Sequence, residues 1–403
     1  MLNFGFKRLF SLFLLFSSTT MLIAEEIPVE EFFCDSALSG VTLSPDGKKY
    51  AALVPINGPA CAVEEDDDPQ SARVLLVMDL ETKKPIILSG TADYARIVQF
   101  FWLNDDRIGF YKQPTRGLDA YDLWAIDIDG KNLKKLVPGK WEDGYATGAR
   151  VSFLMDDDPD HVLVEYNKRR PKYTDIYKLN IYSGRLTTLA IDPVLGNNTL
   201  MGWAIDQQGN VRGYMAMDGL KYKLYHRNNV DEDFALLREF TYQEAMFMPQ
   251  TYDYDPRYVY VVGQPVAKDG TILDNSDTDA LWKYDAYEDE FVEKIYSHPK
   301  YDVGGIGISD KSKKPVVIGY QGEKYERVWL DKDMENLHKS MEMTFPNDEV
   351  GISMDREETM AIVSVYSDTN PGEYFLYDRS AGTLAPLGKT RPWMDKNKMS
   401  EMR

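Results

Sequence analysis

One pattern recurs seven times along this chain, and it leaves few folds open. Its clearest copy runs from Gln99 to Val137. An apolar and aromatic run, Phe100-Phe101-Trp102-Leu103, breaks at Asn104-Asp105-Asp106-Arg107 and resumes as Ile108-Gly109-Phe110-Tyr111. A looser connection leads to Leu123-Trp124-Ala125-Ile126-Asp127. A second turn at Asp129-Gly130-Lys131-Asn132 precedes a return over Leu133 to Val137. Short β-prone runs cut by Asp, Asn and Gly read as four antiparallel strands. Four strands within roughly forty to fifty residues make one propeller blade.

The other copies follow the same order. Ser44-Pro45-Asp46-Gly47 is a turn with proline pre-set for its second position and glycine free to take positive φ. Taking one residue of each outer hairpin as a marker gives Asp79, Asp127, Asn180, Arg227, Tyr284, Leu330 and Tyr377, at intervals of 48, 53, 47, 57, 46 and 47. The sequence therefore predicts an all-β fold, a seven-bladed β-propeller of four-stranded antiparallel blades over 41–390, with no competing helical stretch. The blades are expected at about 41–88, 98–137, 150–190, 200–240, 249–296, 304–343 and 351–388. One sheet alone would expose an apolar face, and a ring of sheets buries both faces of each. Tandem β-sandwiches would not repeat four strands so regularly, and the coils of a β-helix are shorter. The pattern does not mark which strand closes the ring.

Charge narrows the partners. The formal net charge is −19 and the isoelectric point about 4.7. No basic surface is expected that would neutralise nucleic-acid phosphates or bind an anionic membrane. The first 24 residues differ from the rest. Lys7 and Arg8 precede a short apolar core from Leu9 to Phe16, and Met21-Leu22-Ile23-Ala24 leads into Glu25-Glu26. That order reads as a secretory signal peptide cleaved after Ala24, although Leu22 stands where a small residue is usual. The apolar run is too short to span a bilayer, so no stable membrane insertion is expected after cleavage. A secreted or periplasmic protein results, with a mature charge of −21 because only two cations and no acid are lost. The only two cysteines, Cys34 and Cys61, fit either a disulfide in an oxidising compartment or two buried thiols.

Catalytic signals are sparse. A serine-hydrolase elbow needs Gly-x-Ser-x-Gly on a strand-to-helix turn. The nearest approaches, around Ser309 and Ser353, lack the second glycine and fall on inner hairpins. His161, His226, His298 and His338 lie in different blades or loops, with no triad spacing. Gly304-Gly305-Ile306-Gly307 has a β context and no following helix, so it is not a phosphate loop. The acidic run Glu64-Glu65-Asp66-Asp67-Asp68 lacks the alternating ligand spacing of a calcium loop and reads as a solvated loop. Neither a metal site nor a cofactor is expected.

Two stretches carry a family resemblance. The lead-in over 25–40, with Ile27-Pro28-Val29-Glu30-Glu31-Phe32-Phe33, runs into Ser39-Gly40-Val41-Thr42-Leu43-Ser44-Pro45-Asp46-Gly47-Lys48. It resembles the start of bacterial secreted serine peptidases of the prolyl oligopeptidase family. So does Phe100 to Ile108, where that family often has an aromatic-Trp-x-Asn strand ending in Asp and Arg. The segment 391–403, from Arg391-Pro392-Trp393, looks like a truncated linker toward an absent α/β-hydrolase domain. The resemblance implies a propeller that admits peptides to a Ser-Asp-His domain and excludes folded proteins, inactive by itself. Its partners would be peptides or a hydrolase domain. The alternative is a stand-alone periplasmic TolB-like propeller that binds a protein or peptide. A third reading, a propeller glycosidase or lyase, would need a carboxylate or metal cluster in the channel.

Overall fold

The structure is a computed structural model, and it describes residues 26–56, 58, 73–88, 96–113, 120–193, 198–241, 246–274 and 276–402. The signal segment with Ala24, Cys61 and the acidic run 64–68 lie outside the described residues.

Seven antiparallel sheets follow one another, each in sequential strand order. Blade 1 comprises Ser39–Leu43, Lys49–Pro55, Arg73–Asp79 and Pro85–Leu88. Blade 2 comprises Arg96–Asn104, Arg107–Gln113, Asp122–Asp127 and Lys134–Val137. Blade 3 comprises Ala149–Leu154, His161–Arg170, Tyr173–Asn180 and Leu186–Ala190. Blade 4 comprises Thr199–Ile205, Val211–Asp218, Lys221–His226 and Ala235–Thr241. Blade 5 comprises Phe247–Tyr252, Tyr258–Gly263, Ala280–Asp285 and Glu290–Tyr296. Blade 7 comprises Glu349–Met354, Met360–Tyr366, Glu373–Asp378 and Thr383–Lys389.

Blade 6 departs from the expected pattern. It has only three strands, Val303–Ile308, Pro315–Gln321 and Tyr325–Trp329. A helix, Lys332–Thr344, follows where a fourth strand was expected up to residue 343. The lead-in also carries a short helix, Val29–Phe32. In chain order these are α1 (Val29–Phe32) and α2 (Lys332–Thr344). The Asp331 carboxylate caps α2 by accepting from the backbone N–H groups of Asp333 and Met334, both at 2.9 Å. Thirteen helical residues rise about 20 Å, the height of a six-residue strand, so the helix returns the chain to the opposite face as a strand would. Its apolar residues Leu337 and Met341 pack on Val350, Val363 and Val365 of blade 7.

The core is divided among the seams between blades. Leu75 and Val77 of blade 1 meet Ile108 and Phe110 of blade 2, and Leu123 of blade 2 meets Val162 and Leu179 of blade 3. Similar clusters join blades 3 to 4, 4 to 5 and 5 to 6. Burial on both faces explains second strands that are apolar without alternation, such as Val162-Leu163-Val164, all fully buried. Among the described residues the ring closes without a shared sheet. Val41, Leu43, Tyr50 and Ala52 of blade 1 pack against Ile362 of blade 7, and the Arg356 N–H donates to the Pro45 carbonyl at 2.9 Å. The two flanking segments also meet. The Ala37 N–H donates to the Thr390 carbonyl at 2.8 Å, and Trp393 Nε1 to the Glu31 carbonyl at 3.2 Å.

Antiparallel order sorts the loops. Turns joining first to second and third to fourth strands lie on one face, here the turn face. Links from second to third strands, and from one blade to the next, lie on the other, the connection face. That second face also carries an unforeseen hairpin between blades 2 and 3, Lys140–Glu142 with Tyr145–Thr147. Its turn places Asp143 at φ 50° and Gly144 at φ 82°, the tight geometry that Asp-Gly favours.

Candidate functional site: the channel mouth on the turn face

The inner turns of the blades converge on the turn face, and three of them meet across the ring. Asp156, in the blade 3 turn, accepts from Lys313 Nζ of blade 6 at 2.8 Å and from Arg356 Nη2 of blade 7 at 3.3 Å. Gln207 of blade 4 donates its side-chain amide to the Tyr252 carbonyl at 2.9 Å and to the Lys313 carbonyl at 3.2 Å. Lys313 adopts φ 57°, an uncommon conformation for a residue with a Cβ, at the turn that points it toward Asp156. Neighbouring turns are tied as well. Ser309 donates to Glu358, Lys311 Nζ donates to the Glu357 carbonyl at 3.0 Å, and a Cβ at Gly47 would stand 2.9 Å from the Asp355 carboxylate. Charged and amide side chains thus cross the mouth of the channel.

Beside this crossing lies a cavity of about 790 Å³ between the turns of blades 3 to 6. Its volume falls within the range of small-ligand sites and leaves no room for a folded domain. Asp156 and Asp157 line one side, Lys311, Lys313 and Lys314 the other, with Phe153 and Tyr254 among the ring-bearing residues between them. In its wall Asp253 accepts from Tyr260 Oη at 2.6 Å and from Lys283 Nζ at 2.9 Å. Burial opposes ionisation of Asp253, but the two donors outweigh it and hold its carboxyl below the ordinary range. Burial and the bond to Asp253 push the Tyr260 phenol up, so the pair stays carboxylate and neutral phenol at neutral pH. The mouth can offer opposite charges to a zwitterionic or extended chain; among its described residues no nucleophile is paired with a base.

Ser309 is buried and bonded to Glu358, and Ser353 is exposed on the first strand of blade 7. His161 contacts Asp158 through Nδ1 at 2.8 Å and Asn180 through Nε2 at 3.3 Å. His226 contacts the Tyr252 hydroxyl at 3.2 Å. The Nδ1 of His298 accepts from the backbone N–H groups of Lys300 and Tyr301, at 3.2 and 3.1 Å. His338 contacts the Val350 carbonyl at 3.3 Å and Glu342 at 3.3 Å. Among the described residues none of these contacts is with a serine hydroxyl, and no cluster of three or more potential metal ligands forms. The run Gly304 to Gly307 lies inside the first strand of blade 6. No helix among the described residues is long and apolar enough to cross a membrane.

Sequence reasoning missed the crossing. Asp156, Lys313 and Arg356 are 157 and 43 residues apart along the chain, and each sits in a turn of ordinary composition. Only the register of blades around the ring brings them together.

Seven sheets in sequential order, with charged side chains meeting at the mouth on the turn face, define a seven-bladed β-propeller. No family profile matches the chain. It is 24% identical over 380 residues to dipeptidyl aminopeptidase BIII of Pseudoxanthomonas mexicana, covering 92% of this chain and 49% of that protein. Among solved structures, a prolyl endopeptidase superimposes with a TM-score of 0.54 at 13% identity, over 89% of this chain and 50% of its own. Prolyl oligopeptidase B from Galerina marginata gives 0.54 at 12%, over 91% and 53%. A post-proline cleaving enzyme from Rickettsia typhi gives 0.50 at 10%, over 91% and 55%. These structures share the fold. The chain is thus similar to dipeptidyl aminopeptidase BIII over nearly all of its own length and shares the propeller fold of the prolyl oligopeptidase structures. It spans about half the length of the relatives it matches.

Proposed function

We propose that this chain is the substrate-gating propeller of a secreted prolyl oligopeptidase-like serine peptidase, and that the chemistry belongs to a hydrolase domain outside its described residues. The observation that carries this reading is the mouth of the channel. Asp156, Lys313 and Arg356 narrow it beside a cavity of about 790 Å³, which suits an extended peptide and not a folded protein. The connection face supports it from the other side. Val29, Phe33, Leu220, Leu273 and Tyr366 are exposed there, as expected of a face that a second domain covers. Secretion rests on the N-terminal 24 residues.

The test has two parts. The DNA beyond the codon for Arg403 should carry Gly-x-Ser-x-Gly followed by Asp and His, and the purified chain alone should hydrolyse no dipeptidyl or prolyl chromogenic substrate. Activity of the purified chain that vanishes on substituting one of its own residues would overturn the proposal. If nothing hydrolase-like follows in the DNA, the TolB-like binding module takes its place.

A further inference from the structure

Blade 6 is one strand short, and its outer edge differs from the outer edges of the other blades. In blades 2, 3, 4, 5 and 7 the fourth strand carries an extra residue where it pairs with the third, at Leu136, Leu189, Leu237, Ile295 and Leu387. The fourth strand of blade 1 begins with Pro85. Bulges and prolines of this kind blunt a sheet edge against further pairing. The outer strand of blade 6, Tyr325–Trp329, has neither. It pairs with Pro315–Gln321 in unbroken register, from Gln321 opposite Tyr325 to Val317 opposite Trp329.

The ladder shows which backbone groups this edge leaves over. The Gly322 N–H donates to the Lys324 carbonyl at 2.9 Å, and the Leu330 N–H to the Val316 carbonyl at 2.8 Å. Antiparallel bonds alternate, so Glu326 and Val328 turn their backbone groups to the middle strand, and Tyr325, Arg327 and Trp329 turn theirs to the rim. Among the described residues nothing bonds to the N–H and C=O groups of those three. Helix α2 does not fill the gap. Val328 packs toward Tyr260 and Leu281 of blade 5, so the alternate side chains point to blade 7, where the Trp329 ring lies 5.1 Å from that of His338. The helix therefore sits in the seam against Val350 and Val363, beside the strand, with its own backbone bonds satisfied internally. Two charges mark the edge. Glu326 is exposed, Arg327 lies 5.1 Å from the centre of the Tyr325 ring, and among the described residues neither has an ion-pair partner.

We propose that this edge is a strand-addition site, where an extended segment of another polypeptide pairs antiparallel as the fourth strand of blade 6. Its matching residues are a carboxylate opposite Arg327, a cation opposite Glu326 and an apolar β-branched residue opposite Val328. An extended peptide backbone supplies N–H and C=O groups at the spacing of a strand, and the side chains opposite give selectivity. A second copy of this chain fits poorly. In the register that pairs the whole strand with itself, Arg327 stands against its own counterpart, and like charges directly opposite oppose pairing. The strand lies on the rim between the two faces, so the inference stands apart from the gated mouth and from the domain proposed to cover the connection face.

The test is fluorescence anisotropy of the purified chain with three labelled peptides. The first is Ser-Thr-Val-Glu-Lys-Val-Ser, the second exchanges its Glu and Lys, and the third is the first with the glutamate amide N-methylated. The first should bind at least about tenfold more tightly than the second. The third should not bind, because its lost N–H is the donor to the Arg327 carbonyl. Glu326→Arg with Arg327→Glu should invert the preference between the first two peptides without a change in Tm. Hydrogen exchange should show the amides of Tyr325, Arg327 and Trp329 fast in the free chain and slowed by the first peptide, with Glu326 and Val328 already slow. Failure of the first peptide to bind at millimolar concentration overturns the proposal. Equal binding of the first two peptides does so as well. Undiminished binding of the N-methylated peptide overturns it in favour of a charge contact without a strand. Self-association that protects the same three amides, without peptide binding, overturns it in favour of a second copy of the chain.

Discussion

Two buried side chains show how single residues fix the seams. Arg107 is 1% exposed, ion-paired with Asp127, and donates to the carbonyls of Ile181 at 2.9 Å and Asn132 at 3.1 Å. It therefore ties blade 2 to blade 3. Arg107→Met should lower the unfolding free energy by about 3 kcal/mol, because it leaves the carboxylate and two carbonyls without their donor; the urea midpoint reports it, and an unchanged midpoint would refute it. His226 sits between blades 4 and 5, facing the Tyr252 hydroxyl, the Tyr287 ring and Arg212. Burial, helped by the nearby Arg212 charge, depresses its pKa from 6.5 to about 4. Between those values the unfolded chain binds a proton that the folded chain does not. Stability should be full above pH 6.5 and fall by roughly 3 kcal/mol as the pH drops toward 4. His226→Gln should flatten that window; identical pH slopes in the variant and the parent would remove His226 as the cause. Neither role was legible beforehand. In sequence, Arg107 is the end of an Asn-Asp-Asp-Arg turn and His226 one of four scattered histidines, and burial comes from the adjoining blade.

At the scale of elements, turns and second strands were readable because their causes are local. Ser-Pro-Asp-Gly and Asp-Gly-Lys-Asn set their own backbone angles, and runs such as Val162-Leu163-Val164 can lie only in a doubly covered strand. Helix α2 was not readable. Its sequence, Lys332-Asp333-Met334-Glu335-Asn336-Leu337-His338-Lys339-Ser340-Met341, continues a blade spacing that already held for five repeats. The overlooked signals were the Asp331 cap and the pairing of Glu335 with Lys332 and Lys339, at 2.8 and 2.6 Å. Asp331→Ala should cost about 1 kcal/mol through the lost cap. Because α2 packs on blade 7, the loss should appear as faster hydrogen exchange in both α2 and Glu349–Met354, and exchange confined to α2 would show that the two elements are not coupled. The hairpin at residues 140–147 was missed for a different reason. It is too short to register in a pattern of four strands, although Asp143-Gly144 carried its turn in plain view.

At the scale of the whole molecule, the ring depends on contacts between residues far apart in the chain. Asp156 and Lys313 are partly exposed, so their pair should contribute little to stability. A double-mutant cycle with Asp156→Asn and Lys313→Met should give a coupling of about 0.5 kcal/mol, and zero coupling would mean that the turns do not hold each other across the ring. The exposed apolar side chains of the connection face make a second prediction. The isolated chain should self-associate at raised concentration, more strongly in high salt, and Val29→Ser with Phe33→Ser should weaken it; sedimentation velocity showing a monomer at all concentrations would refute this. By itself the sequence determined the number of blades, the order of their strands and the turns that link them, because each follows from chemistry within a few residues. The tertiary structure alone decided that a helix completes blade 6, that packing rather than a shared strand closes the ring, and that Asp156 reaches Lys313 and Arg356. Those outcomes depend on which surfaces seven sheets present once they are assembled, and no local run of residues encodes such a distance.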